Sequence, residues 1–243
     1  MLRAASEIWD KKSKNYPKFN GDLNEMQKNA IEILSHFGCD FNDKILIDIG
    51  AGTGLYSLYF AKFCKFVTAC DISKDMLEIL KNSAKKFKIS NVSTILGEFS
   101  KLNFKQHFDI AFLSMSPALQ NEDDFEKFCD LADNHIYINW QNPRKSSLLA
   151  NFINPQKRNP YKTTQKFTEF LDKKNINFKS EIFKETFTRK RSLQATFENV
   201  SWHLKINEIK INENEISKTL QTLADEYGEI KDKIETCIKV IVY

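Results

Sequence analysis

The sequence has no apolar run approaching the ~20 residues that cross a bilayer. Its first residues lack the charged, apolar and small-residue order of a secretory signal. A soluble, cytoplasmic protein with no membrane partner is therefore expected. The cysteines are few and odd in number: Cys39, Cys64, Cys70, Cys129 and Cys237, with no Cys-x-x-Cys pair. That pattern supports neither a disulfide framework nor a metal site, and reduced thiols are expected. The four histidines, His36, His107, His135 and His203, are scattered, and none stands out as a general base. Net charge is only +4, a weak argument for a nucleic-acid partner. Glycine is scarce too, with seven residues in 243. Each costs about 0.5–1 kcal/mol relative to alanine in a regular element, so a place where they gather is informative.

What is present is a sizeable apolar fraction, 42%, enough for a packed core. Its arrangement is rhythmic. A polar stretch, 6–20, with isolated aromatics predicts a short helix and a loop, and Leu23, Met26, Ala30, Leu34 and Phe37 recur at helical spacing before Gly38. Short apolar runs then predict strands at 44–48, 66–71, 92–96, 109–115 and 135–140. Between them, helices are expected at 55–63, at 73–87 with Ser73 as its cap, and at 121–132. Strands apolar on both sides that alternate with helices indicate a parallel sheet covered on both faces. The expected fold class is α/β, doubly wound, with ligands outside the carboxyl ends of the strands.

After Trp140 the rhythm breaks. Residues 141–164 hold Pro143, Pro155 and Pro160 with Arg144, Lys145, Lys157, Arg158, Tyr161 and Lys162. They are expected to form an irregular basic loop. A helix at 168–174, a strand at 178–188, helices at 192–204 and 213–227 (the latter closed by Gly228) and a last strand at 237–243 complete a seven-stranded, mostly parallel sheet. The helical insertion before the last strand, 190–230, is expected to be a lid on the substrate side. Residues 1–42 would be an N-terminal cap and 43–243 the main domain.

Three of the seven glycines fall within five positions, in "ILIDIGAGTGL", 45–55. They follow the first strand and open a helix. Bare backbone there lets a ligand approach, with N–H groups and the helix dipole at the strand's carboxyl end. A dinucleotide fingerprint, G-x-G-x-x-G, fits only in part, because the frame starting at Gly52 puts Ser57 where its third glycine should stand. Asp48, two residues before Gly50, would repel a pyrophosphate and suit a ligand carrying an ammonium group.

The D-x-G-x-G-x-G stretch ending strand one resembles motif I of the class I S-adenosylmethionine-dependent methyltransferases, which are Rossmann-like. The resemblance extends from about 43 to 140. Asp71 ends strand two, where that family places an acid for both ribose hydroxyls. Ile72 and Met76 resemble its adenine-packing residues. Glu98 and Phe99 follow strand three, where an acid or backbone group meets the adenine amino group. "FDIAFLSMSPAL", 108–119, resembles the fourth strand and its substrate-facing turn.

The resemblance implies a cofactor, S-adenosyl-L-methionine, with S-adenosyl-L-homocysteine as its product. It also implies a cofactor site made of Tyr16, Asp48, Gly50, Ala51, Gly52, Gly54, Asp71, Ile72, Met76, Glu98, Phe99, Ser114 and Met115. Trp9 and Tyr16 resemble aromatics that close over the cofactor in related small-molecule enzymes. Trp9, Ser116, Trp140 and His203 are the substrate-side candidates. The turn Ser116-Pro117-Ala118 departs from the N-P-P-aromatic pattern of amino-group methyltransferases. The expected acceptor is a small molecule. The alternatives are an RNA-modifying enzyme gripping phosphates through 141–162, a non-catalytic cofactor-binding protein, and a nicotinamide-dependent oxidoreductase.

Overall fold

In the computed structural model the apolar runs of the first 140 residues become parallel strands. β1 (Ile45–Ile49) pairs with β2 (Phe66–Asp71) on one side and β4 (Phe108–Ser114) on the other, while β2 pairs with β3 (Val92–Leu96) and β4 with β5 (Ala132–Ser146), all parallel. The structure describes residues 2–153, 162–207, 209–210 and 212–243. β6 (Lys179–Ser192) and β7 (Glu229–Val242) complete one seven-stranded sheet of order β3-β2-β1-β4-β5-β7-β6. His135 and Tyr243 exchange both backbone hydrogen bonds, at 2.8 and 3.2 Å, so β7 runs antiparallel to β5. The chain builds outward from β1 to β3 and then returns to β4. The switch point between β1 and β4 is where ligands of such sheets lie.

The helices follow the local signals. α1 (Leu2–Ser13) is followed by a loop, and α2 (Glu25–His36) starts at a capping box in which Asn24 and Gln27 each bond the other's backbone N–H. α3 (Leu55–Phe60) is short. α4 (Lys74–Lys86) is capped by the Ser73 hydroxyl, which accepts the Met76 N–H. α5 (Glu122–Cys129) is capped by Asn121, and α6 is Lys162–Lys173. None of the described helices is long and apolar enough to cross a membrane.

The chain divides into two compact units. The first comprises Met1–Asn139, Thr163–Glu181 and Lys239–Tyr243. Phe108, Phe125, Phe128, Tyr137, Phe167 and Phe170 form its largest core, and a second cluster gathers Phe19, Leu58, Leu77 and Leu80. Aromatic side chains bury much apolar area each, and these fix α5 and α6 on the sheet. The second unit, Trp140–Lys162 and Ile182–Ile238, has its own core. There Val200 and Leu204 of α7 (Leu193–Ile206) join Ile216 and Leu220 of α8 (Glu213–Leu223).

Several boundaries differ from the sequence expectation. Residues 141–146 are not loop but the continuation of β5, and Ser147 accompanies them by donating its N–H to the Lys233 carbonyl at 3.0 Å. The β4–β5 register ends at Ser114–Ile138, so Pro143 stands beyond it, in a segment where a proline is tolerated. Of the basic residues expected in a loop, Arg144 and Lys145 thus sit in a strand, with Lys145 3.7 Å from Glu235. Pro155, Lys157, Arg158, Pro160 and Tyr161 lie outside the described residues, as does the side chain of Lys162. Ala132 opens β5 instead of closing α5. α8 ends at Leu223, and Gly228 closes a turn by donating its N–H to the Asp225 carbonyl. Of the stretch 190–230, residues 190–192 finish β6 and 229–230 open β7. All five thiols are free, and burial pushes those of Cys64 and Cys70 up to about 12, which keeps them protonated and inert.

Candidate functional site

The glycine elbow lies at the carboxyl end of β1, and its geometry separates the roles of its glycines. Gly50, Gly52 and Gly54 all have positive φ, at 69°, 55° and 81°. A Cβ on Gly50 would stand 1.9 Å from the Ser116 Oγ, and one on Gly54 would stand 2.4 Å from Leu80 Cγ. Those two glycines admit other parts of the protein. Of the three elbow glycines, Gly52 alone has its missing side chain facing open space, with nothing within 4 Å. Gly52 is thus the elbow position with space beside its Cα, while Gly50 lets the turn after β4 close onto β1.

The loop N–H groups do not form an open nest. Gly50 and Ala51 both donate to the Cys70 carbonyl, at 2.8 and 3.0 Å, Gly54 donates to the Ala51 carbonyl, and Gly52 donates to Asp71 Oδ2 at 2.8 Å. Four of the five positions 50–54 thus spend their donors internally, contrary to the expectation that these groups point at a ligand. An anion would find few free N–H groups here.

Asp48 is 3% exposed, beneath the loop. The Ser57 hydroxyl donates to its Oδ2 at 2.5 Å. Burial raises its carboxyl to about 7 against that hydrogen bond, and the nearby charge of Asp71 adds to the rise. Asp71 ends β2 as expected. Its Oδ1 accepts the Ser73 N–H at 2.8 Å, opposite the Gly52 N–H on Oδ2. Burial raises this carboxyl too, against those backbone bonds. The Ile72 N–H also bonds this carboxylate, whose two oxygens offer about four acceptor positions in all.

The N-terminal segment reaches both acids' surroundings. The Pro17 carbonyl, next to half-buried Tyr16, accepts the Thr53 hydroxyl of the elbow at 2.6 Å. Asp10 of α1 accepts the Ser73 hydroxyl at 2.6 Å and the Asp75 N–H at 3.2 Å through one oxygen, Oδ1. Trp9 is half-buried on the same helix. Neither Asp10 nor Ser57 was expected. Ser57 had a signal, a lone hydroxyl in the apolar run "LYSLYF". Asp10 had none, because its partner lies 63 positions away.

The remaining positions are mixed. Ile72 is half-buried beside Asp71. Met76 is 2% exposed, on the buried face of α4. Glu98 is half-buried and 3.0 Å from Lys101. Phe99 is buried in the core, and its carbonyl accepts the Lys127 ammonium at 2.7 Å, with the Ser100 and Leu102 carbonyls on the same nitrogen. Ser114 and Met115 are half-buried at the end of β4, and Met115 has φ 52°, a left-handed conformation costing about 1–3 kcal/mol. Its N–H is held by the Ile138 carbonyl at 2.8 Å, and Asn139 Nδ2 donates to the Ser116 carbonyl at 3.1 Å. Ser116 itself is buried against Gly50, and its hydroxyl accepts the Ala118 N–H within the turn. Trp140 and His203 belong to the second unit, His203 in α7.

Residues 46–135 match the family model of a methyltransferase domain. Over 101 residues the chain is 32% identical to a probable cobalt-precorrin-6B C(15)-methyltransferase (decarboxylating) of Methanocaldococcus jannaschii, across 40% of this chain and 52% of that protein. The chain thus spans about half the length of that curated relative. Among solved structures it is similar to a putative methyltransferase from Bacillus halodurans, with TM-score 0.54 and 13% identity over 88% of this chain and 98% of that one. It is also similar to a precorrin 8w decarboxylase from Methanobacterium thermoautotrophicum, with TM-score 0.52 and 12% identity over 93% and 98%. At such identities the structural likeness is one of fold. The sheet order and the elbow agree with that match, and residues 46–135 are similar to a methyltransferase domain on a doubly wound fold.

Proposed function

We propose that this protein is a methyltransferase that uses S-adenosylmethionine to methylate a small molecule. The observation that carries the reading is the accounting of charge and donors at the elbow. Its N–H groups are spent internally and two buried acids, Asp48 and Asp71, stand beside it. That environment disfavours the pyrophosphate of a nicotinamide dinucleotide and suits a nucleoside bearing cationic groups. The precorrin in the relative's name is a small molecule, which supports an acceptor of that class.

The residues present fit the cofactor. The bare Cα of Gly52 leaves room for it, and Asp71, a carboxylate with two acceptor oxygens at the end of β2, suits two vicinal hydroxyls. Asp48 lies beneath the loop with its Oδ2 held by the Ser57 hydroxyl, and once deprotonated it favours a cationic group above it. When bound, S-adenosylmethionine supplies an already activated methyl group and its own leaving group, so the protein need not provide a nucleophile. The chain's part is to hold the acceptor near the methyl carbon and to exclude water. The strained Met115 turn, braced by Asn139 and Gly50, is the rigid wall we assign to that task.

Two glycine substitutions separate fold from function. Gly50→Ala drives a methyl into Ser116 at a positive φ and should destabilise the protein by about 2–5 kcal/mol. Gly52→Ala costs about 1–2 kcal/mol of backbone strain, yet it places its methyl in the ligand's space. Melting curves beside S-adenosylhomocysteine titrations should show Gly52→Ala folded and binding at least about 10-fold more weakly. Equal binding by Gly52→Ala would remove the elbow from the site.

Turnover tests the acceptor class. The protein is incubated with methyl-labelled S-adenosylmethionine and either a small-metabolite extract or bulk RNA. Label should enter the metabolite fraction. Label in RNA, with binding that weakens steeply with salt, would overturn the small-molecule reading, and label in neither would favour a binding protein.

A further inference from the structure

An acid from α1, Asp10, is aimed at the start of α4. Asp10 Oδ1 takes the Ser73 hydroxyl at 2.6 Å and the Asp75 N–H at 3.2 Å. Ser73 in turn uses its oxygen to cap the Met76 N–H, and its own N–H binds Asp71 Oδ1 at 2.8 Å. One residue, Ser73, therefore joins Asp10 to Asp71 through two hydrogen bonds. On its other side Asp71 is held by the Gly52 N–H at 2.8 Å.

The electrostatics make the arrangement costly. Asp10 is a like charge near Asp71 and opposes its ionisation. An acid tolerated there must return something, and the contacts show what it is. Asp10 fixes the Ser73 rotamer and the first turn of α4, the anchor from which one oxygen of Asp71 is oriented. With the Gly52 N–H on the second oxygen, the plane of the Asp71 carboxylate is set from both sides, and a bidentate acceptor depends on that plane.

We propose that Asp10 is a positioning residue for recognition of the ribose: it acts through Ser73 to hold the Asp71 carboxylate so that it accepts two vicinal hydroxyls. The proposal rests on the cofactor reading given above. Asp10 itself touches no ligand atom in this scheme. Both of its bonds go to a single oxygen, so an asparagine, whose amide has one oxygen, can replace it without losing either.

The test compares S-adenosylhomocysteine with its 2′-deoxyribose analogue by calorimetry, on the parent and on Asp10→Ala and Asp10→Asn. The parent should prefer the ribose form by at least about 10-fold, the worth of one hydrogen bond to a charged acceptor. Asp10→Ala should lose most of that preference, and Asp10→Asn should keep it within about threefold. Loosened docking of α1 would lower both affinities together and leave their ratio unchanged, so the ratio isolates the proposed role. An unchanged ratio in Asp10→Ala, or an equal loss in Asp10→Asn, would overturn the proposal. If Asp10→Ala does not fold, the Asp10→Asn ratio still decides, since a fall there contradicts the acceptor role and retention supports it. No binding of either ligand by the folded parent would instead refute the cofactor reading.

Discussion

Asp71→Ala should bind S-adenosylhomocysteine about 100-fold or more weakly than the parent protein. A hydrogen bond to a charged group contributes about 1.5–3 kcal/mol net, and two vicinal hydroxyls on one carboxylate give at least about 3 kcal/mol, a factor above 100. The variant also strips the Gly52 and Ser73 N–H groups of their acceptor. Part of the loss will therefore come from a slackened elbow, and the melting temperature should fall by some degrees. The two contributions part in the ligand series. Lost hydroxyl recognition abolishes discrimination between ribose and 2′-deoxyribose, whereas a slack loop weakens both forms alike. Full affinity in a folded Asp71→Ala protein would remove Asp71 from the site.

Asp48→Asn should stabilise the protein at alkaline pH while weakening the ligand. The sign follows from linkage. The carboxyl of Asp48 rises from 3.8 to about 7 on folding, chiefly through burial. Between those values the folded chain holds a proton that the unfolded chain has released, so stability present below pH 4 is lost as pH climbs to about 7. A shift of three units corresponds to about 4 kcal/mol. Asparagine carries no charge to bury, and its oxygen can still accept the Ser57 hydroxyl. Its amide N–H groups need new partners, which returns about 1–3 kcal/mol of the gain. The net expectation is a stabilisation of about 1–3 kcal/mol at pH 8 that vanishes or reverses at pH 5, read from urea melts of both proteins at the two pH values. An equal difference at both would mean that Asp48 does not change protonation on folding. Stability gained by neutralising a buried acid, at the expense of ligand affinity, is the behaviour of a functional group and not of a core residue.

Much of this was legible in the sequence because it is local. The strands of the first 140 residues are apolar runs, Ser73 is a cap by its place before α4, and the elbow is marked by three glycines in a chain that has seven. What was not legible depends on residues far apart. β7 begins eight residues earlier than the apolar alternation suggests, because two of its inward positions are Asp232 and Thr236. Asp232 is buried yet accepts from Ser146 and Leu148, partners 84 and more positions away. Similarly, Met76 belongs to an apolar helical face, and periodicity finds the face without saying whether a ligand or the core covers it. Gly50 looked like room for a ligand and is room for Ser116, and the elbow's donors looked free until the Cys70 carbonyl came to lie against them.

The most direct measurement is calorimetric titration of the folded protein with S-adenosylhomocysteine and, in parallel, with NAD. Saturable heat at one site per chain with the first and none with the second is the expected result. Saturation by NAD with silence from S-adenosylhomocysteine would contradict the assignment of the elbow and its two acids to a cationic nucleoside.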